Sequence, residues 1–549
     1  MLVAVVGDVP GAEPDGAIAI RSRTAWDLTG HGLSDGEDTW WFPDGAWLAP
    51  DETAWIVGDA AAWSAHDMPA SRWTSDLWLA DAGDDVALLG PAGVLDAFAY
   101  GDGDHPGIEG AVSYTSEALV YRRAGPDTDH ADDWRTPRTH RLGESDLDRP
   151  TWNVPSVTAY ASPDSSHGVL TGLLGGATER LHLHVYELNS PTLIDGLVAA
   201  AQRGVDVQVL IEDRPVGLSS DEDRERRAGL GRIEEAGGEA WFAGSARYRH
   251  HHLKVLVADD AVAVQSENWV PTGVPEDPSW GNRGWGVVLH SVEAADWFAA
   301  WMADDRAAWD TEPFRDHGDA PPRFPARAGA YRHVAAQTFE GPFSVSPFVS
   351  PDHTADPDED PILALIHGAG ASVRAQQLDL RIEATNPLGW HAPDGLTAGL
   401  AAAAGRGVDV SVLAAAPFRS DDDGNRPVLE WLDARGVDAR ELDRPGLVAM
   451  HNKALVVDDR WVALGSMNGN HHSRSNNREA GVVLDAPPVA AYFAALHDAD
   501  VTGAAGRDWS VPLDDLQAIP ATPVPILIGV MAVVARARCS RSSPGSRSR

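Results

Sequence analysis

The chain has 549 residues, enough for three or four domains and for large buried cores. Its 82 acidic residues against 43 basic ones leave a formal net charge of −39, dispersed along the chain, which repels nucleic acid and anionic membrane surfaces at low salt and matches adaptation to molar salt. The single cysteine, Cys539, excludes an intramolecular disulfide and a multi-cysteine metal site.

Residues 1–142 read as all-β: Trp- and Val-rich segments such as Trp40-Trp41-Phe42, 84–89 and 93–100 alternate with Gly, Asp and Pro at close intervals. Nothing in this region gathers a nucleophile, a base and anion donors, so it is expected to bind or to place the rest. Residues 143–153 are polar, contain Pro150 and read as a linker. Two copies of one unit follow, 154–310 and 343–500, joined by a linker over 311–342. In each, an Ala/Leu-rich helix at apolar helical spacing is stopped by glycine and hands over to a β-branched strand, within 193–210 and again within 396–413. This is β-α-β grammar. A repeat present only twice predicts two halves packed about a pseudo-two-fold axis.

Beyond a third linker, 501–518, the stretch 519–535 is an apolar run with a Pro-rich approach, and a basic tail follows over 536–549. Its length suits a minimal transmembrane anchor, and the arginines place the tail in the cytoplasm. The catalytic region is then expected outside the cell, at the cell membrane. A strand beginning at Leu2 leaves no room for a leader, so the recorded start is expected to be internal; if it is genuine, the protein is cytoplasmic.

The strings that organise the chain are His252-Leu253-Lys254 with Asp259 and His451-Asn452-Lys453 with Asp458, each H-x-K-x4-D. Each is followed by a second strand and a polar cluster, Gln265-Ser266-Glu267-Asn268 or Gly465-Ser466-Met467-Asn468. Lys254 and Lys453 are the only lysines in the sequence. Strand alternation puts His252 and Lys254 on one face, and an ammonium kept at two equivalent places suits phosphate.

On these residues the chain resembles the phospholipase D superfamily. The strings of the first region resemble the lamin-tail domain, an immunoglobulin-like sandwich, and the composition is haloarchaeal-type. The resemblance implies an α/β fold of two α/β/α halves behind an all-β sandwich, with the two motifs facing each other. It implies His252 as nucleophile through a phosphohistidine and His451 as acid/base, with Lys254, Lys453, Ser266, Asn268, Ser466 and Asn468 on the phosphate. Asp259 and Asp458 are structural, and Glu479 stands where the family has a carboxylate that orients a catalytic imidazole, its own half's or the other's. With two lysines, two serines and two asparagines on one phosphate, no metal or other cofactor is required.

The first copy departs from the pattern at Gln265, at a turn one residue shorter, and at Gly284 opposite Glu479 in the alignment. Only one imidazole therefore has an obvious orienting acid. Glu267 can bond a substrate hydroxyl or face outward, and outward is the expectation. The run His250-His251-His252 alternates faces, which argues against one metal ion. His182 and His184 can line the mouth, with structural histidines as the default; Trp269 and Trp280 can shape a pocket or pack in the core. The substrate is expected to be a phosphodiester, phospholipid rather than nucleic acid. A nuclease of the same superfamily is the alternative, and a non-catalytic binding protein with a degenerate first motif is the third reading. The partner of the β-region is not legible.

Overall fold

The computed structural model describes residues 1–9, 16–66, 68–112, 119–122, 127–134, 140–315, 334–357, 359–381, 395–417, 423–442 and 446–503. The apolar run 519–535 and the basic tail lie outside them. Among the described residues no helix is long and apolar enough to cross a membrane.

The N-terminal region is β-rich, as its turn spacing predicts. Six strands, among them Leu2–Val6, Ala17–Arg21 and Thr53–Val57, form one sheet, and Gly93–Tyr100, Asp84–Gly90, Gly32–Ser34 and Thr39–Trp41 form a second. Leu2, Val5, Ile18 and Ile20 pack with Val86, Leu88 and Phe98 between the sheets. Ala4, Val6, Ala17, Ala19 and Val57 pack on the other face against Trp63. Burial of both faces is why these strands are nearly continuous in apolar residues instead of alternating.

From residue 152 onward one sheet of sixteen strands runs through both repeats. Its centre is the antiparallel pair Trp152–Ser162 and Gln337–Ser350, the first strand of each repeat. Outward from Trp152–Ser162 lie Gly281–His290, Ala261–Gln265, Lys254–Ala258, Arg180–Val185, Asp206–Glu212 and Glu239–Ala243. Outward from Gln337–Ser350, the same order gives Glu479–Asp485, Trp461–Gly465, Lys453–Val457, Ser372–Gln377, Asp409–Ala414 and Asp438–Glu441. The predicted crossover helices are Pro191–Gln202 and Leu396–Gly405. Gly204 at φ +86 and Gly407 at φ +91 end them, a left-handed conformation that glycine adopts without cost. The helix Pro191–Gln202 buries Leu193, Ile194 and Leu197 against the sheet, each contributing about 1.5–3 kcal/mol.

Buried arginines tie the repeats together. Arg283 is fully buried and donates to Asp500 at 2.7 and 3.0 Å, in the closing helix Pro487–Gly503 of the other repeat, and to Asp164 of its own at 2.5 Å. Arg478 does the reverse, donating to Asp305 of the first repeat at 2.9 and 3.2 Å and to Asp352 of its own at 2.7 Å. The connecting segments close over these clusters. Arg478 also donates to Ser145 Oγ at 2.8 Å, Leu147 N–H to Asp352 at 2.9 Å, and Val334 N–H to Asp164 at 2.7 Å.

Candidate active site

Each motif strand enters the sheet from a loop stitched to the other repeat. His252 N–H donates to the Arg478 carbonyl at 2.8 Å, and His451 N–H to the Arg283 carbonyl at 2.9 Å. The arginine pair that joins the repeats therefore also fixes the backbone of both motif histidines. Asn452 adds a further tie, its Oδ1 accepting from Trp285 N–H at 3.1 Å.

The two imidazoles sit in one electrostatic neighbourhood. Lys254 and Lys453 each act on both rings, and His252 acts on His451. The His252 and His451 side chains are mostly buried, at 12% and 14% exposure. Lys254 and Lys453 are buried, and each Nζ donates to the carbonyl of its own motif histidine, at 2.8 and 2.6 Å. The Lys254 ammonium also lies 5.1 Å from the Tyr186 ring centroid.

Two carboxylates complete the arrangement. Glu479 Oε2 lies 2.8 Å from Nδ1 of His252, and Glu267 Oε2 lies 3.3 Å from Nδ1 of His451. Both pairs cross between the repeats, so Glu479 contacts the histidine of the other half. Glu267 does not face outward as its sequence position suggests: it is 2% exposed, because Gly284 leaves the space its side chain fills. Desolvation pushes Glu267 up to about 8 and Glu479 up to about 7, each opposed by a lysine. Desolvation, then the lysines, hold both imidazoles well below their ordinary value. Burial also lowers Lys453 to about 8 and Lys254 well below the usual range. A proton between Nδ1 of His252 and Glu479 leaves Nε2 of His252 unprotonated and able to attack.

The other singled-out residues fall into place by geometry. Asn268 and Asn468 are buried, and the Oδ1 of each has no hydrogen-bond partner; Asn268 Nδ2 donates to Glu187 at 2.9 Å. The Ser266 hydroxyl takes the Trp285 N–H at 3.1 Å and the Ser466 hydroxyl the Ala480 N–H at 3.0 Å, so both brace the adjacent strand. Asp259 accepts from the N–H groups of Glu179 and Arg180 at 2.8 and 3.0 Å, and Asp458 from those of Ala371 and Ser372 at 2.7 and 2.9 Å. Those hydrogen bonds hold the carboxyls below their ordinary value against desolvation. Seven residues along an extended strand put them about 20 Å or more from the motif histidines.

His182 pairs with Asp206 at 3.0 Å, and His184 is buried edge-on to Trp301 at 6.0 Å. Trp269 belongs to the core. Among the described residues no group of three or more His, Cys, Asp or Glu is placed to hold a metal ion. A groove of about 740 Å³ beside Asp259, Asp260 and Glu293 holds none of the motif imidazoles or ammonium groups.

The family model described as cardiolipin synthase, phospholipase D-like domain, matches residues 170–306 and 381–500, the two stretches that carry the motifs. This supports the phospholipase D superfamily for both repeats. Similar solved structures include the phospholipase D family member Nuc from Salmonella typhimurium, at 19% identity over 31% of this chain and 100% of that one, with a TM-score of 0.25. Phosphatidylserine synthase from Haemophilus influenzae Rd KW20 is similar at 15% identity over 64% of this chain and 88% of that one, with a TM-score of 0.46. Polyphosphate kinase from Porphyromonas gingivalis is similar at 12% identity over 66% and 53%, with a TM-score of 0.38. No curated protein matches the chain.

Proposed function

We propose that the protein is a phosphodiesterase or phosphatidyl transferase of the phospholipase D superfamily that acts on a phospholipid through a phosphohistidine. The observation that carries this reading is the pair of crossed His–Glu contacts, His252 with Glu479 at 2.8 Å and His451 with Glu267 at 3.3 Å, around two buried lysines. Nε2 of His252 attacks phosphorus, and the bond to the leaving oxygen breaks as His451 protonates that oxygen. His451 then takes a proton from water or an alcohol, whose oxygen displaces His252 and releases the product. Lys254 and Lys453, with the amides of Asn268 and Asn468, neutralise the phosphoryl oxygens. His252 is assigned as nucleophile because its Nδ1 has the shorter carboxylate contact.

The net charge of −39 disfavours a polyanion, whose binding needs cationic surface, and molar salt screens its repulsion from an anionic lipid. In the same reading the repeats are related by a pseudo-two-fold axis, the β-rich region is a lamin-tail-like sandwich that places the enzyme, and residues 519–535 anchor it with the catalytic region outside the cell. Purified protein incubated in molar salt with ³²P-labelled phosphatidylglycerol, and separately with labelled DNA, tests the substrate. Conversion of the labelled lipid to labelled phosphatidic acid, or to a new phosphatidyl ester when an alcohol is present, with the DNA left intact, is expected. Cleavage of the DNA alone selects the nuclease, and no reaction of either the binding protein.

A further inference from the structure

The repeats differ at one place where the alignment leaves His451 without an acid. Gly284 occupies the position of Glu479, since Ser162 pairs with Gly284 as Ser350 pairs with Glu479. Pairing on the neighbouring strand shows where the carboxylate went. Gln265 pairs with Gly286, and the same antiparallel register two residues on sets Glu267 against Gly284. In the second repeat Gly465 pairs with Gly481, which sets Met467 against Glu479. Cross-strand partners stand about 5 Å apart on one face of a sheet, so a carboxylate on either strand can reach the same point. Packing agrees: a Cβ built at Gly284 would lie 2.4 Å from both Cγ and Oε1 of Glu267. Glu267 thus fills the space that a side chain at 284 would occupy.

We propose that Glu267 is the positioning carboxylate of the second-motif imidazole, moved across the strand pair from the position where the other repeat carries Glu479. The proposal rests on the phosphohistidine reading for its kinetic consequence, but not for the contact itself. Glu267 Oε2 approaches Nδ1 of His451 at 3.3 Å and takes Asn282 Nδ2 at 3.4 Å, while Oε1 has no hydrogen-bond partner. The side chain spans from the strand pair of the first repeat to the ring of the second. Holding Nδ1 directs Nε2 of His451 at the leaving oxygen, so a lost carboxylate harms the step that needs an acid.

The test is a transplant. Glu267→Gln is expected to lower kcat about 10- to 100-fold on methyl phenyl phosphate, and less on methyl 4-nitrophenyl phosphate, whose leaving group needs little protonation. Gly284→Ala is expected to lower kcat in the same manner by displacing Glu267. The double variant Glu267→Met with Gly284→Glu rebuilds the Met467/Glu479 arrangement and should recover most of the loss. A second readout needs no turnover: the downfield Nδ1–H proton resonance identified by its absence in His451→Asn should shift in Glu267→Gln and return in the double variant. An unchanged resonance in Glu267→Gln overturns the proposal. So do equal losses on both esters without recovery in the double variant. A wild-type protein that cleaves neither ester but shows the resonance shift sinks the phosphohistidine reading and leaves the contact standing.

Discussion

The two imidazoles are held by the same chemistry in unequal ways. Nδ1 of His252 meets Glu479 at 2.8 Å, with the acid placed directly on the strand that follows the polar cluster. Nδ1 of His451 is crowded, with the Ser266 carbonyl at 3.0 Å, Lys453 Nζ at 3.2 Å and Glu267 at 3.3 Å. A repeat therefore preserves a function by preserving where an atom ends up, not which position supplies it. The inequality also matches the division of labour proposed above. A single short acceptor suits a nucleophile that must keep one tautomer, and a crowded Nδ1 suits a group that gains and loses a proton each turn.

The largest loss is expected from the rings themselves. His252→Ala and His451→Ala should each lower turnover of a labelled phospholipid by about 10³-fold or more, with unchanged circular dichroism. If only one of the two falls, the comparison is between a site and a relic. Next come the ammonium groups: Lys254→Met and Lys453→Met should each cost about 10²- to 10³-fold in kcat, measured at saturating substrate. Glu479→Gln is expected to cost about 10²-fold and more than Glu267→Gln, because its contact is shorter and unshared; a reversed order would reverse the assignment of nucleophile.

The smallest effect belongs to the far end of the motif. Asp259→Asn should leave activity at pH 7 within about twofold, since the carboxyl only gathers backbone N–H groups, and asparagine tolerates its φ of +48. Its folded value lies below 3.8, so the stability it supplies is present above 3.8 and is lost as pH falls through the folded value. The difference in Tm between wild type and Asp259→Asn should accordingly shrink on acidification below pH 4.

Much of the region beyond residue 150 was legible because its signals are local. The glycine stops at 204 and 407 and the shorter turn after Asp259 reappear in the chain's geometry, whereas both motif histidines precede their strands, which begin at Lys254 and Lys453. The placement of Glu267 was not legible from alignment, which compares position 284 with 479 and finds glycine. It was legible in principle from pairing: once Gln265 is set against Gly286, the acid at 267 stands beside the gap at 284. Ser266 and Ser466 make a contact that the sequence does not display: both are fully buried, and each hydroxyl accepts a strand's N–H. The partnership of Arg283 and Arg478 with Asp500 and Asp305 spans 217 and 173 residues and leaves no local mark.

The central claim is that two motifs build one site. Its most direct measurement is the stoichiometry and position of trapped phosphate after acid-free quenching of protein mixed with ³²P-labelled phospholipid. The account predicts base-stable, acid-labile label at no more than one phosphate per chain, on the peptide that contains His252, with none in His252→Asn. Two phosphates per chain, or equal label on the peptides of His252 and His451, would contradict it.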